Sequence, residues 1–122
     1  MSALAVALTG NPNTGKSTIF NALTGARQKI GNWPGVTVDK KIGHTHYKGR
    51  AISIVDLPGT YSINARSPEE QIVIDYLTST KLDLVLNVVD SSNIERNLFL
   101  TVQLLEKGIP LLIDLNMQDD AQ

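Results

Sequence analysis

Hydrophobic and polar positions follow two periods along the chain, and their alternation predicts its elements. Residues 3–9 (ALAVALT), 50–57 (RAISIVDL), 82–89 and 110–115 are short, mostly apolar runs, the pattern of strands buried in a sheet. Residues 38–47 are more polar, and this strand is expected at a sheet edge. Lys48-Gly49 separates it from the strand over 50–57, which makes the two a hairpin. Between strands the period lengthens. Residues 16–24 place Ile19, Phe20 and Leu23 on one side of a helix that Gly25 stops. Ser67-Pro68-Glu69-Glu70 starts a second helix, expected to reach Ser79. Ser67 can cap it, Pro68 suits the first helical position, and Glu70 closes a capping box. Residues 94–107 form a third helix, with Ile94, Leu98, Val102 and Leu105 spaced to share a face and Gly108 and Pro110 to end it. Residues 10–15 and 26–37 lack a period and read as loops.

Strands alternating with helices predict an α/β fold, a mostly parallel sheet between helical layers. In such sheets ligands sit at the carboxyl ends of the strands. With 122 residues, the chain is expected to form one domain. The net charge of −1 argues against a nucleic-acid partner. There is no cysteine, so disulfides and thiolate zinc sites are excluded. No apolar run approaches the roughly 18 residues that span a bilayer. The first residues lack the basic start of a secretion signal, so ALAVALT reads as a strand.

The chemistry begins at the end of that strand. GNPNTGKS, Gly10 to Ser17, matches G-x-x-x-x-G-K-[ST], and it leaves a strand to open a helix as that phosphate loop must. Glycine lets backbone N–H groups turn inward around phosphates, and the helix N-terminus adds positive potential. Lys16 would reach the β and γ phosphates, and Ser17 would offer its hydroxyl to Mg²⁺. ISIVDLPG then puts Asp56 at a strand end, where such an acid supports the magnesium shell, and Gly59 three residues on, where its N–H meets a γ-phosphate. D-x-x-G alone is common, with chance matches in about a third of chains this size, so its weight comes from the loop upstream. Thr37 is a candidate magnesium ligand closing over the γ-phosphate, one of several threonines nearby that position alone does not separate. Trp33 reads equally as an exposed loop aromatic or as a core anchor.

At the other end, Asn116 and Asp119 form N-x-x-D after the strand over 110–115. A carboxylate there accepts from both N1–H and the exocyclic amine of guanine. Adenine offers neither donor at those positions and would leave the acid unpaired. Met117 replaces the lysine common at that place, which lowers the expected affinity. Asp120 is the alternative acid if the register differs.

Taken together these motifs resemble the GTP-binding domain of the bacterial ferrous iron transport protein B family. The likeness rests on GNPNTGKS, GNWPGVTVDKK, DLPGTYS, SPEEQIVIDYL, NVVDSSNIERNLFLTVQLLEKGIP and LNMQD, which cover nearly the whole chain. The resemblance implies a P-loop NTPase three-layer sandwich, GTPase-like, its mostly parallel sheet carrying one antiparallel edge strand. It implies nucleotide contacts from Gly10, Asn11, Pro12, Asn13, Thr14, Gly15, Lys16, Ser17 and Thr18, from Gly35, Val36 and Thr37, from Asp56, Leu57, Pro58 and Gly59, and from Asn116, Met117 and Asp119. Lys16, Thr37 and Gly59 are the expected catalytic set, and Ser17, Thr37 and Asp56 the expected Mg²⁺ set. Asn13 is similar to the asparagine that holds an activating K⁺ in some members, with backbone carbonyls of Gly31 to Trp33 completing the site. The family domain continues past N-x-x-D with a last strand and helix and leads to a membrane transport region. The chain is therefore expected to be a fragment whose strand over 110–115 forms an exposed edge, with homo-oligomers one consequence. The family places such domains at the cytoplasmic face of the bacterial inner membrane.

Thr60 stands where many small GTPases carry a water-orienting glutamine, so slow hydrolysis of GTP to GDP without a side-chain base is expected. Two other readings compete: a P-loop ATPase or kinase, and a non-catalytic interaction module. His44 and His46 alternate along one strand but lack a third ligand, and read better as solvated edge histidines than as an iron site.

Overall fold

A computed structural model describes residues 3–116 of the chain. The elements in chain order are β1 (Leu4–Gly10), α1 (Lys16–Thr24), β2 (Gln28–Asn32), β3 (Asp39–Tyr47), β4 (Arg50–Asp56), α2 (Pro68–Ser79), β5 (Leu84–Asp90), a 3-10 turn (Ser91–Asn93), α3 (Ile94–Glu106) and β6 (Leu111–Asn116). The strands form one sheet in the order β2-β3-β4-β1-β5-β6. β1 pairs in parallel with both β4 and β5, and β5 in parallel with β6, while β2–β3 and β3–β4 are antiparallel.

Successive side chains of β1 point to opposite faces, which puts Ala7 and Leu8 in different layers. Ala7 joins Trp33, Val55, Leu57, Ile63, Val73, Leu77, Val85, Leu100 and Leu104 under α2 and α3. Leu8 joins Phe20, Ile54 and Val88 under α1. Phe20 is fully buried, worth about 2–3 kcal/mol relative to an exposed ring. The hairpin is closed by Lys48 and Gly49, both at positive φ (52° and 80°), the pairing that matches strand twist.

Four expectations are corrected. Residues 26–37 are not wholly loop, because Gln28–Asn32 forms β2, paired with β3 from Gln28↔Gly43 to Asn32↔Asp39. β2 is almost entirely exposed and its ladder, not an apolar face, holds it. β3 is accordingly an interior strand and β2 takes the edge. The polarity of β3 misled because its one fully buried position is Gly43, whose missing side chain makes room for α1.

On α3 the expected face is turned outward. Ile94, Leu98, Val102 and Leu105 are 37–54% exposed, while Asn97, Leu100, Thr101 and Leu104 are buried. The polar members of the buried stripe are satisfied. Asn97 accepts from the Asp90 N–H (3.0 Å) and donates to the Asn93 carbonyl (2.8 Å). Thr101 donates to the Asn87 side-chain Oδ1, and the Asn87 Nδ2 donates to the Thr9 hydroxyl (3.3 Å). These bonds join α3, β5 and β1 and remove the penalty of burying polar groups.

The capping box differs by one residue. Ser67 accepts from the Glu70 N–H (3.1 Å) as expected, but the Glu70 carboxylate accepts from the amides of Asn64 (3.0 Å) and Arg66 (3.2 Å) and from Ser62 (3.2 Å). It thereby ties the segment before α2 to the helix.

Candidate nucleotide site

The loop from β1 to α1 turns twice through the left-handed region, at Asn13 (φ 64°) and Gly15 (φ 86°). Asparagine tolerates that region and glycine adopts it freely. The result is a cleft of about 360 Å³ lined by Asn11, Pro12, Asn13, Thr14, Gly15, Lys16, Ser17 and Gly59. The first amides of α1 have no partners within the helix, which suits an anion at this end. Gly10 and Gly59 are required by packing. A Cβ at Gly10 would lie 2.8 Å from the Val88 carbonyl oxygen, and one at Gly59 2.9 Å from the Pro12 Cα. The turn after β4 therefore lies directly against the loop, and the Thr60 N–H donates to the Gly10 carbonyl (3.0 Å).

Lys16 is buried and engaged internally. It forms an ion pair with the Asp56 carboxylate and donates to the Leu57 carbonyl (2.7 Å). Two residues forty apart in sequence thus meet because β1 and β4 are neighbours in register. From the far end of the sheet, Asn116 donates to the Thr14 carbonyl (2.7 Å), so the carboxyl end of β6 is tied to the phosphate loop. The Asn11 side-chain amide and the Thr14 hydroxyl are buried without hydrogen-bond partners among the described residues, both in the wall of the cleft.

The other expected residues are distributed differently. Thr18 follows Ser17 on α1 and is exposed. Gly35 and Thr37 are exposed, Val36 is half-buried, and none of the three lines the cleft. Leu57 is fully buried in the core, and Pro58 is half-buried. Met117, Asp119 and the alternative Asp120 lie outside the described residues. Trp33 is a core anchor, 6% exposed, edge-on to Tyr76 at 5.5 Å with the Lys40 ammonium 4.6 Å from its ring centre. Burial there raises the Tyr76 phenol above its ordinary value.

The donor set fits a magnesium ion in kind: Ser17, with its hydroxyl, lines the cleft and the Asp56 carboxylate pairs with Lys16, which lines it too, both hard oxygen donors. The backbone named for potassium is engaged in other bonds here. Gly31 is held in the β2–β3 ladder, and the Trp33 carbonyl accepts from the Val36 N–H (3.2 Å).

Glu70 was expected only as a helix cap, yet it organises the segment after Gly59. Glu70→Ala is expected to cost about 2 kcal/mol in urea unfolding, since hydrogen bonds to a charged group are the stronger kind. It should also speed hydrogen exchange at the Asn64 and Arg66 amides. Unchanged exchange there would show that the carboxylate does not hold them.

The sequence of the ferrous iron transport protein B family matches residues 4–122. The chain is 53% identical over 126 aligned positions to the Fe(2+) transporter FeoB of Shigella flexneri, covering all of this chain and 16% of that protein. It spans about that small share of the first curated relatives it matches. Among solved structures, the cytosolic domain of L. pneumophila FeoB is 50% identical with a TM-score of 0.89, over 94% of this chain and 46% of that one. A GDP-bound mutant of the S. thermophilus FeoB G-domain is 54% identical with a TM-score of 0.89, over 98% of this chain and 46% of that one. With the family matched over residues 4–122 and about half of all positions identical to these relatives, the chain belongs to the ferrous iron transport protein B family.

Proposed function

We propose that the chain is a guanine-nucleotide switch domain of a ferrous iron transporter, binding GTP and GDP with Mg²⁺ and hydrolysing GTP slowly. The observation that carries this is the Asn116 bond to the Thr14 carbonyl, which brings the base-reading strand of N-x-x-D onto the phosphate loop. The GDP-bound relative supports the same ligand class. In the longer protein this domain would face the cytoplasm beside the membrane transport region; no helix among the described residues is long and apolar enough to cross a membrane.

In this reading Lys16 leaves Asp56 and turns to the β and γ phosphates, and the loop amides surround them. Ser17 and Asp56 would hold a magnesium ion, whose charge would neutralise the phosphates. Gly59 offers its N–H to the γ-phosphate, and Thr37 closes over it from the segment between β2 and β3. Thr60 is buried and its N–H is held by Gly10, so backbone groups near Thr37 and Gly59, not a side-chain base, orient the water. Asn13 remains the residue through which K⁺ would stimulate hydrolysis, once Gly31 and Trp33 had been freed from their present bonds.

The test is a titration with a fluorescent GDP analogue in Mg²⁺ and potassium buffer, competed with GTP, GDP and ATP. Guanine nucleotides are expected to displace it at concentrations at least about a hundredfold below ATP, the scale on which paired polar sites reject mismatched bases. Equal displacement by ATP, or no binding, would refute the proposal.

A further inference from the structure

The segment that follows Gly59 is gripped from two sides, and the second grip belongs to no nucleotide motif. Glu70 holds it from α2. From α3, the Gln103 side-chain Oε1 accepts from the Ile63 N–H (2.9 Å), and the Gln103 Nε2 donates to the Asn64 side-chain Oδ1 (2.9 Å). Two turns earlier on the same face of α3, the Arg96 guanidinium lies 4.7 Å from the Tyr61 ring centre. Ser62 and Ile63 are buried between these contacts, and Thr60 is pinned to the phosphate loop.

We propose that Gln103 is a positioning residue for γ-phosphate recognition, holding the residues after Gly59 so that the Gly59 N–H stays aimed at the cleft. The inference rests on the guanine-nucleotide reading above. Its side chain satisfies a donor and an acceptor on consecutive residues, a complementary pairing that an apolar side chain cannot supply. Arg96 adds a weaker, exposed restraint through Tyr61. Because the clasp acts only through Gly59, it discriminates between nucleotides. GDP has no γ-phosphate for Gly59 to meet, so its binding is independent of Gln103.

The experiment measures binding of GDP and of a non-hydrolysable GTP analogue to the chain and to its Gln103→Ala and Gln103→Glu variants. Gln103→Ala is expected to bind GDP within about twofold of the parent while binding the GTP analogue about tenfold more weakly, the scale of two lost hydrogen bonds. Gln103→Glu keeps the acceptor for Ile63, and the Asn64 amide can turn to donate to it, so analogue binding should recover to within about threefold. Hydrogen exchange at the Ile63 amide should accelerate in the alanine variant alone. Equal weakening of both nucleotides would indicate a merely structural role and overturn the inference. So would analogue binding unaffected by Gln103→Ala. A parent chain that binds neither nucleotide would instead refute the guanine-nucleotide reading, and this inference with it.

Discussion

Lys16→Met should lower GDP affinity by more than about a hundredfold and, separately, destabilise the chain by about 3 kcal/mol. The first effect follows from removing the one cation that lines the cleft among the described residues, and a hundredfold corresponds to about 2.8 kcal/mol of lost phosphate interaction. The second follows from what remains. Asp56 is 8% exposed and its carboxylate is paired with Lys16. Methionine fills similar volume but leaves that charge without a partner, a change that costs about 3–5 kcal/mol at buried pairs. The edge of an open cleft argues for the lower figure. Asp56→Asn in the Lys16→Met background then separates the two effects: it should restore most of the stability and none of the affinity. Urea unfolding and nucleotide titration of the four chains in this cycle measure both. A Lys16→Met chain as stable as the parent would mean that the ion pair contributes nothing to folding.

Gly43→Ala should cost about 2–3 kcal/mol with no ligand present. A Cβ at Gly43 would lie 2.3 Å from Thr24 Cγ2 and 2.6 Å from Thr24 Cβ, with the Phe20 ring 3.1 Å away. Thr24 cannot swing aside freely, because its hydroxyl donates to the Phe20 carbonyl (2.8 Å) and its residue is 4% exposed. Phe20 is fully buried. Relief therefore requires α1 to lift from β3, and overpacking of this kind costs about 1–3 kcal/mol. The thermal midpoint should fall by about 10 °C. Since α1 begins at the phosphate loop, nucleotide affinity should fall with it. An unchanged midpoint would mean that α1 and β3 pack less tightly than described.

What the sequence made legible divides along physical lines. The strand–loop–helix at Gly10 to Ser17, the hairpin at Lys48-Gly49 and the start of α2 at Ser67-Pro68 each carry a local conformational demand that only certain residues meet, and all three stand as read. β2 was missed because QKIGN has no alternation and its single large apolar residue, Ile30, is exposed; its stability lies in backbone pairing with β3. β3 was placed at an edge because a buried glycine looks like a missing core residue. The α3 face was misjudged because its buried stripe contains Asn97 and Thr101, whose partners come from β5 and the turn before the helix. Apolar counting cannot anticipate satisfied polar groups. At the site, Lys16, Asp56 and Asn116 were named from separate motifs, and the sheet order brings Lys16 to Asp56 and Asn116 to the phosphate loop. Thr37 was named by resemblance, and its segment lies away from the cleft here. Gln103 left no signal, since a glutamine on a helix surface resembles any other until its partners are known.

The central place of β1 also sets the order in which the molecule can assemble. Every ladder that β1 enters joins it to residues made much later: Leu4 meets Ile52, and Val6 meets Leu84. The β3–β4 hairpin, joined by two residues, closes in about 1–10 μs once made. On a ribosome adding about 5–20 residues per second, β1 must instead wait on the order of ten seconds for β5 to appear. During that interval the most apolar strand of the sheet is without its full complement of neighbours. A fold whose first strand is its innermost thus spends its synthesis with its centre open, and its rate of completion is governed by long-range closure instead of by local helix formation.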